Sequence, residues 1–320
     1  VTTVTVPPTT VAPTPSVTTT TNPATGPDVG ALDRVFDLAL APDGRLWAAT
    51  DAGVVAWDVE AESPTVYSAG DGLPDRHVYR IAVASNGTVW AAGDAWIAAF
   101  DGTSWIDLNG RPDLPYPIGA LAAGLDGDLW VAAGADALIR LDGGTAETHL
   151  VPEPWTHAEP WSMSLAVDAS GTVWASSLVS GVLSFDGEWR DFGIDDGLPT
   201  DSVGNVAVGP DGSVWFGGEA DDGVPAGGIV RYRDGDWTAF TTADGLPVGG
   251  VTDVVQGNDG WLWIGTLDGL LRFDGHELTR ISVAEEPALG SNRVERLFLD
   301  PGGQLWILSE AGHLARMADG

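Results

Sequence analysis

The chain has 320 residues, no cysteine, 15 Trp, 43 Gly, 21 Pro and a formal net charge of −32, and all 14 of its basic residues are Arg. The missing thiols exclude a disulfide scaffold, a Cys-ligated metal and a cysteine nucleophile. The charge argues against nucleic acid or an anionic membrane face as the main partner, since either needs a Lys/Arg field. No apolar run approaches the roughly 20 residues of a membrane-spanning helix. The excess of Trp and Gly points to many tight turns around many buried aromatics, the composition of a repeat protein.

Residues 1–28 form a Thr/Pro-rich segment with no charged side chain before Asp28. It has too little apolar surface to offset its own ordering entropy. Its prolines keep it extended, so it reads as a tether or a plain tail. A start at Val1 with no signal peptide is what a mature or excised piece would show.

From residue 29 to 320 one pattern recurs. An apolar strand leads into a two-residue turn rich in Asp, Asn and Gly, and the next strand opens with Val or Leu followed by Trp. The copies read PDGRLW, SNGTVW, LDGDLW, ASGTVW, PDGSVW, NDGWLW and PGGQLW, ending at Trp47, Trp90, Trp130, Trp174, Trp215, Trp263 and Trp306. Successive tryptophans lie 43, 40, 44, 41, 48 and 43 residues apart. Each copy contains several strand patterns and no helix-period segment. Asn-Gly and Asp-Gly supply the positive φ of tight hairpins, and they recur in a later turn at Asp101-Gly102, Asp186-Gly187, Asp234-Gly235 and Asp274-Gly275. Seven such units specify an all-β fold, a seven-bladed β-propeller of four-stranded antiparallel blades. Within a blade the strands are lettered a to d, with a nearest the central channel. The repeated Trp falls on strand b, where a large flat side chain can fill the wedge between neighbouring blades.

The seventh unit, VERLFLDPGGQLWILSEAGHLARMADG, stops before its strand d. An unpaired edge there is an association hazard. The β-branched run at 17–21 predicts that a strand from segment 16–23 of the tail closes this blade; the other source is a longer parent chain.

A second motif joins strand d to the next strand a: DGLPDRHV at 71–78, DGLPTDSV at 196–203 and DGLPVGGV at 244–251. Together with LWIGTLDGLLRFDG at 262–275 it resembles the two-component-regulator propeller repeat, over about 29–320. The connections into units three, four and seven depart from it, at 111–115, 148–163 and 283–293. The resemblance implies a ligand-sensing or interaction module outside the cytoplasm, secreted, periplasmic or tethered to the cell surface. It carries no catalytic residues over. The turn at 209–216 is also shared with the streptogramin-lyase propellers, so a propeller lyase is a further alternative.

Propellers place their d–a and b–c loops on one face, around the channel mouth, and a rigid scaffold with variable loops there favours a binding site. Strand a carries small residues eight positions before each repeat Trp, as a narrow channel wall would need: Ala39, Ala82, Ala122, Ala166, Ala207, Val255, with Phe298 the exception. Two residues earlier stand Asp37, Arg80, Ala120, Ser164, Asn205, Asp253 and Arg296, a largely polar ring near the loop face. It is either a cradle whose Arg groups grip a carboxylate or sugar hydroxyls, or a water-filled collar of balanced charges. The long 148–163 loop adds Trp155, His157 and Trp161 as candidate platforms for a sugar or peptide face, with Tyr116 and Trp96 facing the same area. The other reading is a loop folded onto its own tryptophans.

Glu219, Asp221 and Asp222 in the 217–228 insertion could hold Ca²⁺, although their spacing does not match an EF-hand and a solvated acidic loop explains them as well. No other cofactor is indicated. No HExxH, GxSxG or phosphate-loop pattern is present, and Glu153 and Glu159 beside His157 are the first carboxylates to test for lyase chemistry. The expected function is non-enzymatic binding of a small molecule, glycan or peptide at the channel mouth. The alternative is a protein-interaction scaffold on the same face.

Overall fold

The computed structural model describes residues 17–18, 34–58, 63–109, 111, 114–134, 136–142, 145–152, 155, 164–218, 228–246, 250–300 and 302–317. Seven antiparallel four-stranded sheets stand in a ring, a seven-bladed β-propeller. Six sheets run in simple a-b-c-d order. The inner strands a are Val35–Leu40, Arg80–Val83, Ile118–Ala123, Ser164–Val167, Val203–Val208, Val251–Gln256 and Val294–Leu299 in blades 1 to 7. In blade 7 the outermost strand is Val17–Thr18, paired antiparallel with His313–Met317, with Val17 opposite Met317 and Thr18 opposite Arg316. That strand lies inside the tail segment 16–23.

The a–b turns are seven versions of one structure. Each holds a Gly at positive φ: Gly44, Gly87, Gly127, Gly171, Gly212, Gly260 and Gly303. In blade 1 the Gly44 N–H donates to the Ala41 carbonyl and the Ala41 N–H to the Arg45 carbonyl. This is a three-residue loop closed by a left-handed residue, not the two-residue hairpin expected from the dipeptides. Only at Asp234-Gly235 do both residues take positive φ. Elsewhere the Asp acts through its side chain: Asp101 Oδ1 accepts the N–H of Thr103 and of Ser104, each at 2.8 Å.

Each DGLP segment completes a short 3-10 turn in which the Asp side chain accepts the N-cap N–H. Asp71 accepts the Ser68 N–H at 2.9 Å, and Gly72 follows at φ 99°. A Cβ on Gly72 would meet the Trp105 carbonyl, so glycine is required there. The next residue drives into the core: Leu73, Leu198 and Leu246 are buried. The motif is therefore an anchor. Leu114 and Leu289 fill the same place in two connections that lack DGLP.

The core is a set of separate inter-blade layers. The seven repeat tryptophans are all buried, and each layer gathers side chains from two neighbouring sheets. Between blades 1 and 2, Trp47 stacks on Tyr67 (5.7 Å) and packs against Phe100 (5.2 Å) and Trp105 (6.1 Å). On strand c, directly opposite the Trp, stands an Arg in four blades: Arg140, Arg231, Arg272 and Arg316 lie 5.3–5.8 Å over the ring centroids of Trp130, Trp215, Trp263 and Trp306.

Two outcomes follow. Trp47→Ala removes a fully packed indole and is expected to cost about 3–5 kcal/mol, measured by denaturant unfolding. The Ser104 N–H, the Thr103 hydroxyl and the Thr103 N–H pull the Asp101 carboxyl down from 3.8 to about 2. A lowered carboxyl stabilises the fold above its unfolded pKa and loses that contribution as pH falls through the folded value. Asp101→Asn keeps an acceptor oxygen but not the titration, so thermal melts between about pH 4 and 2 should fall less steeply than in the parent.

Candidate functional site

Blades stand on edge around the axis, so strand-a side chains point toward the two adjacent blades. The expected alanine wall is for that reason not a channel lining. Ala82 and Ala122 are core residues, and Ala39 packs on the blade 1–2 layer. What faces the channel is the free edge of each strand a, a row of backbone groups without sheet partners.

The polar ring serves that edge. Asp37 Oδ1 accepts the N–H of Leu38 (3.0 Å), and its Oδ2 accepts the N–H of Ile81 on blade 2 (3.1 Å). Asp253 repeats this between blades 6 and 7, accepting from Val254 (2.9 Å) and from Leu297 on blade 7 (2.8 Å). Arg80 donates from Nε to the Gly119 carbonyl of blade 3 (2.9 Å) and from Nη1 to the Tyr79 carbonyl (3.0 Å). Arg296 Nε stands 3.9 Å from Asp37 Oδ1, across the seam between blades 7 and 1. Side chains thus tie blade 6 to 7, 7 to 1, 1 to 2 and 2 to 3.

These residues line a cavity of about 290 Å³ together with Ala120, Ser164 and Gly204. One wall, from blades 6, 7, 1 and 2, is charged. The wall from blades 3, 4 and 5 carries small residues. Phe298 forms the floor, because it also lines a second cavity of about 570 Å³ at the opposite mouth. That larger space is bounded by the a–b turns and holds one charged side chain, Asp300, which already accepts from Gln304 N and Trp306 Nε1, while Gln256 Oε1 accepts from Trp215 Nε1 (3.0 Å). The smaller cavity is the better site because it holds charged groups with bonding capacity left.

Burial pushes the Asp253 carboxyl above its ordinary range, against the pull of Arg296 and of the Leu297 and Val254 N–H groups. Burial also opposes the Arg296 cation, but Asp253 and Asp37 outweigh it and hold the guanidinium more basic than usual. Arg80 is shifted down by burial; Asp37 resists this and Arg296 adds to it. Both guanidinium groups remain cations at any ordinary pH.

The structure brings together Asp37, Arg80, Asp253 and Arg296 and corrects two other candidates. Asn205 does not face the cavity. It is buried, with Oδ1 accepting the Gly217 N–H (3.1 Å) of its own sheet, and Gly204 takes the lining position at blade 5. Trp155 is no exposed platform: it is fully buried in the blade 3–4 layer, and its Nε1 donates to Asp191 at 3.0 Å. With Val151 it does what the DGLP leucine does in other connections. Tyr116 is half-buried and donates to Asn109 Oδ1 (2.9 Å), and Trp96 is buried. His157 and Trp161 lie outside the described residues, as do Glu153, Glu159, Glu219, Asp221 and Asp222. Among the described residues no group of three His, Cys, Asp or Glu could hold a metal ion, and no histidine lines the cavity.

Sequence reasoning missed an aromatic pair. Phe36 and Tyr79, one residue before Asp37 and Arg80, meet edge-to-face at 4.9 Å, with Arg34 over the Phe36 ring. The signal was there: each is a large aromatic at the loop end of a strand a.

Residues 245–268 match the family model described as the two component regulator propeller. Three solved structures share the fold of this propeller. A catalytically inactive virginiamycin B lyase from Staphylococcus aureus with quinupristin has a TM-score of 0.72 at 16% identity, covering 95% of this chain and 99% of that one. YCF48 bound to D1 peptide gives 0.69 at 16%, covering 96% and 98%. The extracellular domain of BT4673 from B. thetaiotaomicron gives 0.54 at 15%, covering 86% of this chain and 45% of that one. At these identities the likeness is one of fold. No curated protein sequence matches the chain.

Asp37→Ala would leave the Ile81 N–H on the channel edge without its partner. It is expected to cost about 1–3 kcal/mol in denaturant unfolding.

Proposed function

We propose that the protein is a non-catalytic binding propeller whose ligand, a small molecule, a glycan or a peptide end, enters the channel mouth on the loop face. The observation that carries this reading is the cavity of about 290 Å³. Its charged wall faces a wall of small residues, which leaves room beside groups able to orient a ligand. The volume sits at the lower edge of ligand pockets, roughly 300–1,000 Å³. Among the described residues the lyase alternative lacks its first requirement, a histidine and a carboxylate converging at the mouth. An extracytoplasmic location belongs to the same proposal. It is supported by the match to the regulator-propeller repeat and by the likeness to an extracellular domain.

A protein-interaction scaffold remains as the second reading because of Leu150, Val179 and Ile194. They are 68%, 64% and 57% exposed on blades 3 and 4, at strand ends and turns of the loop face. The two readings part in a thermal-shift screen of sugars, short peptides and divalent ions with the parent and Ser164→Phe, which fills the small-residue wall. A cavity ligand at hundredfold excess over its Kd should stabilise the parent by about 2.7 kcal/mol and the filled variant hardly at all. Equal stabilisation of both proteins would move the site out of the cavity and favour the scaffold.

A further inference from the structure

The hydrogen-bond accounting around the channel mouth is lopsided. Asp37 and Asp253 each spend both oxygens on backbone N–H groups, so their negative charge is turned toward the sheet edges. Arg80 has committed Nε and Nη1 to carbonyls, and its Nη2 has no partner among the described residues. Arg296 makes no hydrogen bond with any described residue. It pairs with Asp37 at 3.9 Å, an ion-pair distance too long for a hydrogen bond, and its side chain is 36% exposed. Arg296 therefore brings a full set of unbonded N–H donors to the cavity, whereas each oxygen of Asp37 and Asp253 already accepts one N–H.

This donor set selects the chemistry. A single hydroxyl or amide oxygen offers a guanidinium one acceptor atom. A carboxylate only accepts, and two parallel N–H groups of a guanidinium match its two oxygens. Arg296 stands 3.9 Å from Asp37 across the blade 7–1 seam and also feels the charge of Asp253 on blade 6, so its cation is kept at the mouth before a ligand arrives.

We propose that this cavity is a carboxylate site, in which the guanidinium of Arg296 grips the acid group bidentately and the free edge of Arg80 adds a further donor. The rest of the ligand lies against Ala120, Ser164 and Gly204, over Phe298. This rests on the reading of the cavity as the ligand site and names the ligand's class: a compact carboxylic acid, free or at the end of a chain.

The test is calorimetric titration of the full chain with matched pairs: propionate and propionamide, glucuronate and glucose, and trialanine with a free or an amidated C-terminus. The proposal expects at least one acid to bind about tenfold or more tightly than its uncharged counterpart. That preference should vanish in Arg296→Gln and be lost about as fully in Arg296→Lys, which keeps the charge but not the fork. Melting temperatures and circular dichroism show whether each variant is folded. Should Arg296→Gln fail to fold, the Lys variant and the matched pairs decide. Preference confined to trialanine marks a chain terminus as the source, and preference shared by propionate or glucuronate marks a free acid. Neutral members binding as well as acids, with loss in Ser164→Phe, would overturn the carboxylate while keeping the cavity as the site. No acid binding below about 10 mM, or acid binding that survives Arg296→Gln, would overturn the proposal.

Discussion

A four-stranded blade cannot bury its own two faces. Every blade is a thin sheet whose apolar surfaces are covered only by the sheets on either side, so the folded state depends on filling seven wedges at once. The repeat tryptophan is the filler. It sits on strand b, buried in every blade, and in blades 1 and 4 it gathers an aromatic from strand d and others from the next blade. The smallest buried layer among the described residues lies between blades 7 and 1: Val35, Ala48, Val55 and Leu308. There Arg296 reaches across toward Asp37, and Val17–Thr18 completes the last sheet.

The same packing gives the arginines a structural reason. A planar guanidinium can lie flat on an indole while its in-plane N–H groups still reach acceptors, which an ammonium cannot do. Four arginines lie over the tryptophan opposite them, and two more line the channel mouth. At these sites Lys would be a poor substitute. Much of the acidic excess likewise has local causes. Asp71, Asp196 and Asp244 cap 3-10 turns, and Asp101 and Asp274 bind the N–H groups of their own hairpins.

The candidate site grows out of the fold's remaining problem. Closing the ring pairs the faces of the sheets and leaves the inner strand edges open to the channel. Polar residues at one position of strand a satisfy those edges and bridge neighbouring blades. Four such residues fall on consecutive blades, so their charges gather on one side of the mouth. Blades 3, 4 and 5 carry Ala120, Ser164 and Gly204 there, and the absence of bulk makes the cavity. In the proposed site these side chains would serve stability and binding together. The carboxylate oxygens accept from the strand edges, and the guanidinium of Arg296 keeps its N–H groups free of hydrogen bonds.

Blade number, strand count, the repeated tryptophans, the glycine turns and the need for a closing strand were all legible in one sequence. Each is a local or periodic property: a turn requires positive φ, a strand alternates, and a unit recurs at about 43 residues. The polar ring was legible as a register, since position within a repeat fixes position on strand a. What each ring residue does was not, because direction depends on neighbours remote in the chain. Asn205 shares the register of Asp37 but turns to Gly217, and Trp155, in a loop that looked exposed, replaces a buried leucine. The alanines expected along the channel pack between blades for the same reason: strand period gives the face of a sheet, and only assembly of seven sheets decides what that face meets. The residues alone determined a ring of seven wedges; the tertiary structure decided which charges were spent on holding it closed and which were left for a ligand.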